Sequence, residues 1–161
     1  MDLTPSPEAN AILDQVRKMF EQDILPRNRE MIRSTKQDGE LDPPFLDELR
    51  AKAKSMGLWN MAHTDLTDRQ PGLSMSNLDY SIVAELLGRA FWSSKVFNCQ
   101  WPDVPNMVAL QRYATEEQKE QWLKPLLNGD CQSAFAMTEP GAASSDAKNI
   151  AATITPDGDD Y

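Results

Sequence analysis

Residues 132–150 read QSAFAMTEPGAASSDAKNI, and they divide the chain. Before them, apolar residues recur at helical spacing and are punctuated by proline and glycine. Within them the helical period disappears. A short apolar run, 134–137, leads into Thr138, Glu139, Pro140 and Gly141, and then into residues with little or no side chain. Pro140 sets its own φ for the first central position of a tight turn, and Gly141 is expected to take a positive φ at the second. This pattern predicts a strand, a turn and a bare loop. A backbone without bulky side chains can lie close to a flat ring or a phosphate group, although the same pattern also suits an ordinary surface loop.

Upstream, five apolar stripes predict five helices. Ser6 and Pro7 open the first, with Ala9, Ile12, Leu13, Val16, Met19 and Phe20 inward and Pro26 as its stop. Residues 31–40 are polar and show no clear period. Asp42, Pro43 and Pro44 introduce the second helix, with Phe45, Leu46, Leu49, Ala53 and Met56 as its stripe and Gly57 closing it. Ser76 to Asp79 has the form of a capping box for the third, whose stripe is Leu78, Ile82, Val83, Leu86 and Leu87. Residues 104–113 form a short fourth. Thr115 and Gln118 cap the fifth, which carries Trp122, Leu123 and Leu126 and ends at Asn128 and Gly129. Stripes of this kind cannot be buried singly, so the helices are expected to pack as a bundle. Residues 91–105 hold Phe91, Trp92, Phe97 and Trp101, with Pro102 and Pro105 breaking the backbone, which fits either a core-filling connection or the wall of an apolar pocket.

Composition narrows the chemistry. The 161 residues carry a net charge of −9 and no basic stripe, which argues against a nucleic-acid partner. One histidine, His63, rules out zinc sites built on several histidines and disfavours a Ser-His-Asp or Cys-His hydrolase. Cys99 and Cys131 read as two buried thiols in a reducing compartment. No apolar run reaches membrane-spanning length, and the N-terminus has neither signal-peptide nor transit-peptide character. These features lead us to expect a cytoplasmic location.

Thr138-Glu139-Pro140-Gly141-Ala142, after an apolar strand and before Ser144, resembles the flavin-binding signature of the acyl-CoA dehydrogenase family. Residues 114–129, ATEEQKEQWLKPLLNG, resemble the helix that precedes that strand, and a weaker likeness runs back to Ser6 and forward to Tyr161. The resemblance implies a mainly α fold. About five helices over residues 1–130 would be followed, over 131–161, by the first strands of a β-barrel-like middle domain. The second of those strands is expected around Ile150, Ala152 and Ile154, with a turn at 156–159 and Tyr161 beginning a return strand. A chain ending there reads as truncated.

The implied reaction is α,β-dehydrogenation of an acyl-CoA thioester with hydride transfer to FAD. Phe135, Ala136, Met137 and Thr138 would form the flavin strand. Met137 and Thr138 would face the ring, with Thr138 near its N5 edge. Gly141, Ala142 and Ala143 would admit the cofactor's diphosphate. Ser144 would donate to that diphosphate and stand near the CoA arm. The base lies in the C-terminal part of family members, so no catalytic residue is assigned here, and Glu139 is not the base. The family's usual glycine is replaced by Ala143, and its acid comes one place late, as Asp146 after Ser145. That shift resembles a less typical branch represented by two human members with unusual acyl substrates. The resemblance also implies an electron-transfer flavoprotein as acceptor, a dimer or tetramer, and a mitochondrial or peroxisomal location in a eukaryote. Acyl-CoA oxidases, nitroalkane oxidases and flavin hydroxylases share the strand. A helical interaction module without flavin is the alternative from another class.

Overall fold

The computed structural model describes residues 4–39, 41–143 and 146–158. Five helical runs make up most of it up to Asn128, and mainly irregular stretches at 56–76 and 88–102 connect them. The first is longer than the sequence implies. Helix α1, Pro7–Met19, starts where Ser6 Oγ accepts the Ala9 N–H at 3.1 Å. It then passes without a break through a five-residue π turn, Phe20–Ile24, and a 3-10 turn, Leu25–Arg27. Helix α2, Asn28–Arg33, and a second π turn, Ser34–Asp38, complete the run, which ends at Gly39 with φ +69°. Pro26 therefore does not stop the helix, and residues 31–38 are helical rather than irregular. A proline has no N–H to give, and its ring collides with the carbonyl four residues back. Here the helix widens just before it, with the Leu25 N–H reaching Phe20 O, so the ladder changes period where the proline falls. Phe20, Ile24 and Met31 carry the buried face across the kink.

The other helices obey their local signals more closely. Helix α3, Phe45–Ser55, buries Phe45, Leu46, Leu49 and Ala53. It closes with Gly57 at φ +73°, where the Gly57 N–H donates to Lys54 O at 3.0 Å and the Leu58 N–H to Ala53 O at 2.9 Å. Helix α4, Asn77–Leu87, is capped by Ser76 Oγ, which accepts the Asp79 N–H at 3.1 Å. The Asp79 carboxylate also accepts the Ser6 N–H at 2.8 Å, so the starts of α1 and α4 are tied together. Helix α5 is Asp103–Tyr113. The last run comprises α6, Glu116–Gln118, a π turn, Lys119–Leu123, and α7, Lys124–Asn128. It opens on the expected Thr115–Gln118 capping box and ends at Gly129 with φ +73°. The π turn rotates the inward face, so Leu123, Leu126 and Leu127 are buried while Trp122 is exposed.

Two apolar clusters result. The larger packs α1 through α4 and the 3-10 turn Ser93–Phe97, with Trp92 set edge-on to Phe45 at 5.8 Å. The smaller joins Met107 of α5 to Leu123, Leu126 and Leu127. Between them lie two buried asparagines in left-handed backbone, Asn60 at φ 57° and Asn98 at φ 53°. Asn98 Nδ2 donates to Asn60 Oδ1 at 2.7 Å and to Leu126 O at 2.9 Å. Asn60 Nδ2 donates to Leu127 O at 2.9 Å and to Pro71 O at 2.8 Å, and the Trp59 indole N–H reaches Leu127 O at 2.8 Å. The Leu126 and Leu127 carbonyls belong to the last turn of α7, where the helix itself supplies few donors.

Among the described residues, no helix is long and apolar enough to cross a membrane. The stretches expected as strands, 134–138 and 150–154, carry no ladder, and one isolated bridge at Asp157 is the sole strand-type feature described. A strand needs a partner backbone beside it, and a lone hairpin is marginal in water. Tyr161, expected to begin a third strand, lies outside the described residues.

This packing has two testable outcomes. Asn98→Ala should cost about 2–4 kcal/mol in urea unfolding, because it takes the donor from the buried Asn60 Oδ1, leaves Leu126 O with the Gly129 N–H alone and keeps a left-handed φ. Asn98→Gly, which relieves the backbone but not the lost amide, should fall between Asn98→Ala and wild type. The second outcome concerns His63, which is fully buried, with Nδ1 accepting the Asp65 N–H at 3.2 Å. Burial holds its imidazole below the ordinary value of 6.5, against the Met107 carbonyl and the Asp65 carboxylate. The folded form therefore stays neutral while the unfolded form takes up a proton below that value. Stability should be full above pH 6.5 and fall as the pH drops from there towards the folded pKa. Unfolding free energies measured along that window should fall less steeply in His63→Gln.

Candidate functional site

Four aromatic residues precede α5, and the fold separates them. Trp92 and Phe97 fill the larger core, whereas Phe91 and Trp101 stand outside it. Trp101, 73% exposed, is stacked on Phe135, 50% exposed, with ring centres 5.1 Å apart and planes 12° apart. So the region is partly core and partly the rim of a surface site, and Phe135 is the expected residue that the rim engages.

The segment after α7 is fastened at its start. Ser133 N–H and Ser133 Oγ each donate to Asp103 Oδ1 at 2.6 Å, and Asn106 Nδ2 donates to Ser133 Oγ at 2.8 Å. Gln100 Nε2 donates to the other Asp103 oxygen at 2.5 Å. One residue earlier, the Gln132 amide donates to Asp42. Asp42 is also bound by Lys95 at 2.6 Å and Arg50 at 3.0 Å. Burial pushes the Asp42 carboxyl up, but these two cations outweigh it and hold the group below its ordinary value.

Beyond Ser133 the chain becomes an open ribbon. Ala136, Met137, Thr138, Gly141 and Ala143 are exposed, and Ala142 is half-buried. The Ala142 N–H donates to Glu139 O at 3.3 Å, closing the turn with Pro140 and Gly141 at its centre. Gly141 does not take the positive φ expected of it. A turn with negative φ at both central positions accommodates the same residues, so glycine is not needed there for backbone reasons. A Cβ on Gly141 would meet nothing within 4 Å, which leaves the space above it open. Ser144, expected to donate to a diphosphate, lies outside the described residues, as does Ser145.

Glu139 is engaged within the loop. Its two oxygens accept the N–H groups of Ala151, at 2.9 Å, and Ala152, at 2.7 Å. A carboxylate holding two backbone donors is a clasp. Asp146 is likewise occupied, accepting from Lys148 N at 3.2 Å and Asn149 Nδ2 at 2.5 Å.

Where the ribbon begins, at Cys131 to Ser133, lies an apolar groove of about 680 Å³ between α5 and the α6–α7 run. Ala109, Leu110, Tyr113, Trp122 and Leu126 line it, with Asn106 and Ser133 at its edge. Helical spacing places Trp122 in the core; its exposure on the groove wall results from the π turn. Cys131 also borders the groove and is exposed, not buried as expected. Partial desolvation, with Asp103 and Asp130 nearby, raises its thiol pKa. Cys99 is the more sheltered thiol, and burial pushes it up to about 11. Asp103 and Asn106 escaped sequence reasoning. An acid at a helix start is common, and nothing local pointed to a serine thirty residues away.

If Glu139 clasps the loop, Glu139→Gln keeps one acceptor and loses the other. Exchange of the Ala151 and Ala152 amides should accelerate roughly tenfold, while the global melting temperature stays within a degree or so.

A family model described as acyl-CoA dehydrogenase, N-terminal domain, matches residues 6–130. Acyl-CoA dehydrogenase family member 11 of Gallus gallus is 40% identical over 161 residues, covering 97% of this chain. Acyl-CoA dehydrogenase family member 10 of Mus musculus is 41% identical over 152 residues, covering 92% of this chain. The chain spans 20% of the first relative's length and 14% of the second's. A solved structure from Mycobacterium abscessus, provisionally assigned as an acyl-CoA dehydrogenase, superposes with a TM-score of 0.81 at 42% identity. That match covers 97% of this chain and 40% of the other.

Proposed function

The chain belongs to the acyl-CoA dehydrogenase family, and from that premise we propose that it supplies the helical domain and the flavin-facing ribbon of a flavin-dependent acyl-CoA dehydrogenase. Residues 1–130 would be the helical domain and 131–161 the beginning of the flavin-binding middle domain. One observation carries the reading. Most of the family-like ribbon 135–143 is exposed, and the residues just before it, Cys131 to Ser133, border an apolar groove.

The residues present fit FAD. Gly141 has open space above it, Ala142 and Ala143 add only methyl groups, and the exposed Thr138 offers a hydroxyl donor. When bound, FAD would accept hydride from the β-carbon of an acyl-CoA thioester, the α-proton going to a carboxylate outside this chain. Phe135, braced on Trp101, would keep the start of the strand in place. Ala136 and Met137 would present a smooth face to the ring. Thr138 would hold a proton towards the ring edge, where a donor stabilises developing negative charge. Gly141, Ala142, Ala143 and Ser144 would let backbone and hydroxyl donors approach the diphosphate, and Ser144 would stand near the CoA arm. The groove would exclude water from an acyl chain. Electrons would pass on to an electron-transfer flavoprotein, and the assembled enzyme would be a dimer or tetramer in the cytoplasm, or in the mitochondrial matrix or peroxisome of a eukaryote.

The longest natural polypeptide containing this sequence should purify with visible flavin absorption. In it, Thr138→Ala should slow flavin reduction by acyl-CoA about tenfold or more with little change in substrate affinity. A colourless protein that ignores added FAD would contradict the proposal. Residues 1–161 alone should bind FAD weakly or not at all in an isothermal titration and should not turn over acyl-CoA with an artificial acceptor.

A further inference from the structure

Asp103 is 1% exposed, and among the ion pairs of the described residues none joins it to a lysine or arginine. A buried carboxylate without a cation is costly unless its lone pairs are filled. Here the described donors to it are the Gln100 amide and both the N–H and the O–H of Ser133. It also stands at the first position of α5, where the helix dipole favours negative charge. An exposed acid in the first turn would gain the same dipole interaction without the cost of burial, so the dipole does not account for a buried acid bonded thirty residues along the chain.

Two more contacts show the consequence of that reach. Asn106, one turn along α5, donates to the same Ser133 oxygen, so the hydroxyl is fixed as donor and acceptor at once. Trp101 stacks on Phe135, and Trp101 precedes Asp103 by as many residues as Phe135 comes after Ser133. The two contacts, Asp103 with Ser133 and Trp101 with Phe135, therefore define one antiparallel register between the α5 start and the ribbon. A slip of one residue would move every side chain from Phe135 to Ala143 into its neighbour's place.

We propose that Asp103 is a positioning residue that sets the register of the ribbon against the helical domain through Ser133, and thereby decides which side chains face the flavin. The inference rests on the flavin reading above for its functional half, while the register itself is a property of this chain.

The test has two arms. In the 161-residue chain, Asp103→Ala should speed exchange of the Ser133 amide about tenfold or more and weaken the proton contacts between the Trp101 and Phe135 rings. Asp103→Asn keeps one acceptor for Ser133 and should restore most of the protection. In the longest natural polypeptide, Asp103→Ala should weaken FAD binding about tenfold and shift the bound flavin's visible circular dichroism, with Asp103→Asn closer to wild type. Should Asp103→Ala fail to fold, Ser133→Ala decides, because it removes the hydroxyl at a half-buried site and should loosen the ring stack and FAD binding severalfold. Unchanged exchange and ring contacts in these variants would overturn the register. Lower melting temperature with unaltered flavin spectrum and affinity would overturn the positioning role. A wild-type protein that takes up no flavin would overturn the functional half only, leaving the exchange arm to decide the register.

Discussion

The fold hangs on a pair of buried amides. Asn60 and Asn98 share a hydrogen bond and give the rest of their donors to the last carbonyls of α7 and to the Pro71 carbonyl. Both sit in left-handed backbone, which asparagine tolerates better than most residues because its side chain bonds locally. The pair bridges the two apolar clusters and adds donors to helix-end carbonyls that otherwise hold one each, from Gly129 N–H and the Trp59 indole. It also anchors the next few residues of the chain. Gln100, Trp101 and Asp103 come shortly after Asn98, so an interior polar contact determines where the rim of the surface site stands.

From that rim the site is built outward with decreasing restraint. Asp103 and Asn106 hold Ser133, Trp101 braces Phe135, and Glu139 gathers two amides of the returning chain. From 134 to 143 the chain carries mainly small side chains, Ala134, Ala136, Gly141, Ala142 and Ala143, with Met137, Thr138 and Pro140 among them. Family membership gives that arrangement a purpose. In the proposed reading, a flat aromatic cofactor with a charged tail would need close backbone approach and a few donors, and an acyl chain in the groove would need mainly apolar walls. Glu139 and Asp146 are both engaged in holding the loop.

Much of this was legible in local sequence. Ser6, Ser76 and Thr115 cap helices as their spacing implies, and Gly57 and Gly129 close them in left-handed conformation. Such signals act over four or five residues and need no knowledge of the rest of the chain. The family-like strings around Thr138 were equally plain. The features that escaped were non-local or depended on a change of helical period. The run across Pro26 survives through a π turn that no residue pattern announces, and a similar turn places Trp122 on the groove instead of in the core. Gly141 looked like a left-handed turn residue because glycine permits that conformation, but permission is not requirement. The latch between Asp103 and Ser133 joins segments thirty residues apart and could not be read from either one.

The central claim is that the uncovered ribbon is a seat for flavin. Amide hydrogen exchange, compared between the flavin-loaded and flavin-stripped forms of the longest natural polypeptide containing this sequence, addresses it most directly. Amides of residues 135–143 should become protected when FAD is restored, with α1 through α4 unchanged. Protection confined to other segments, with the ribbon exchanging equally fast in both forms, would contradict the account.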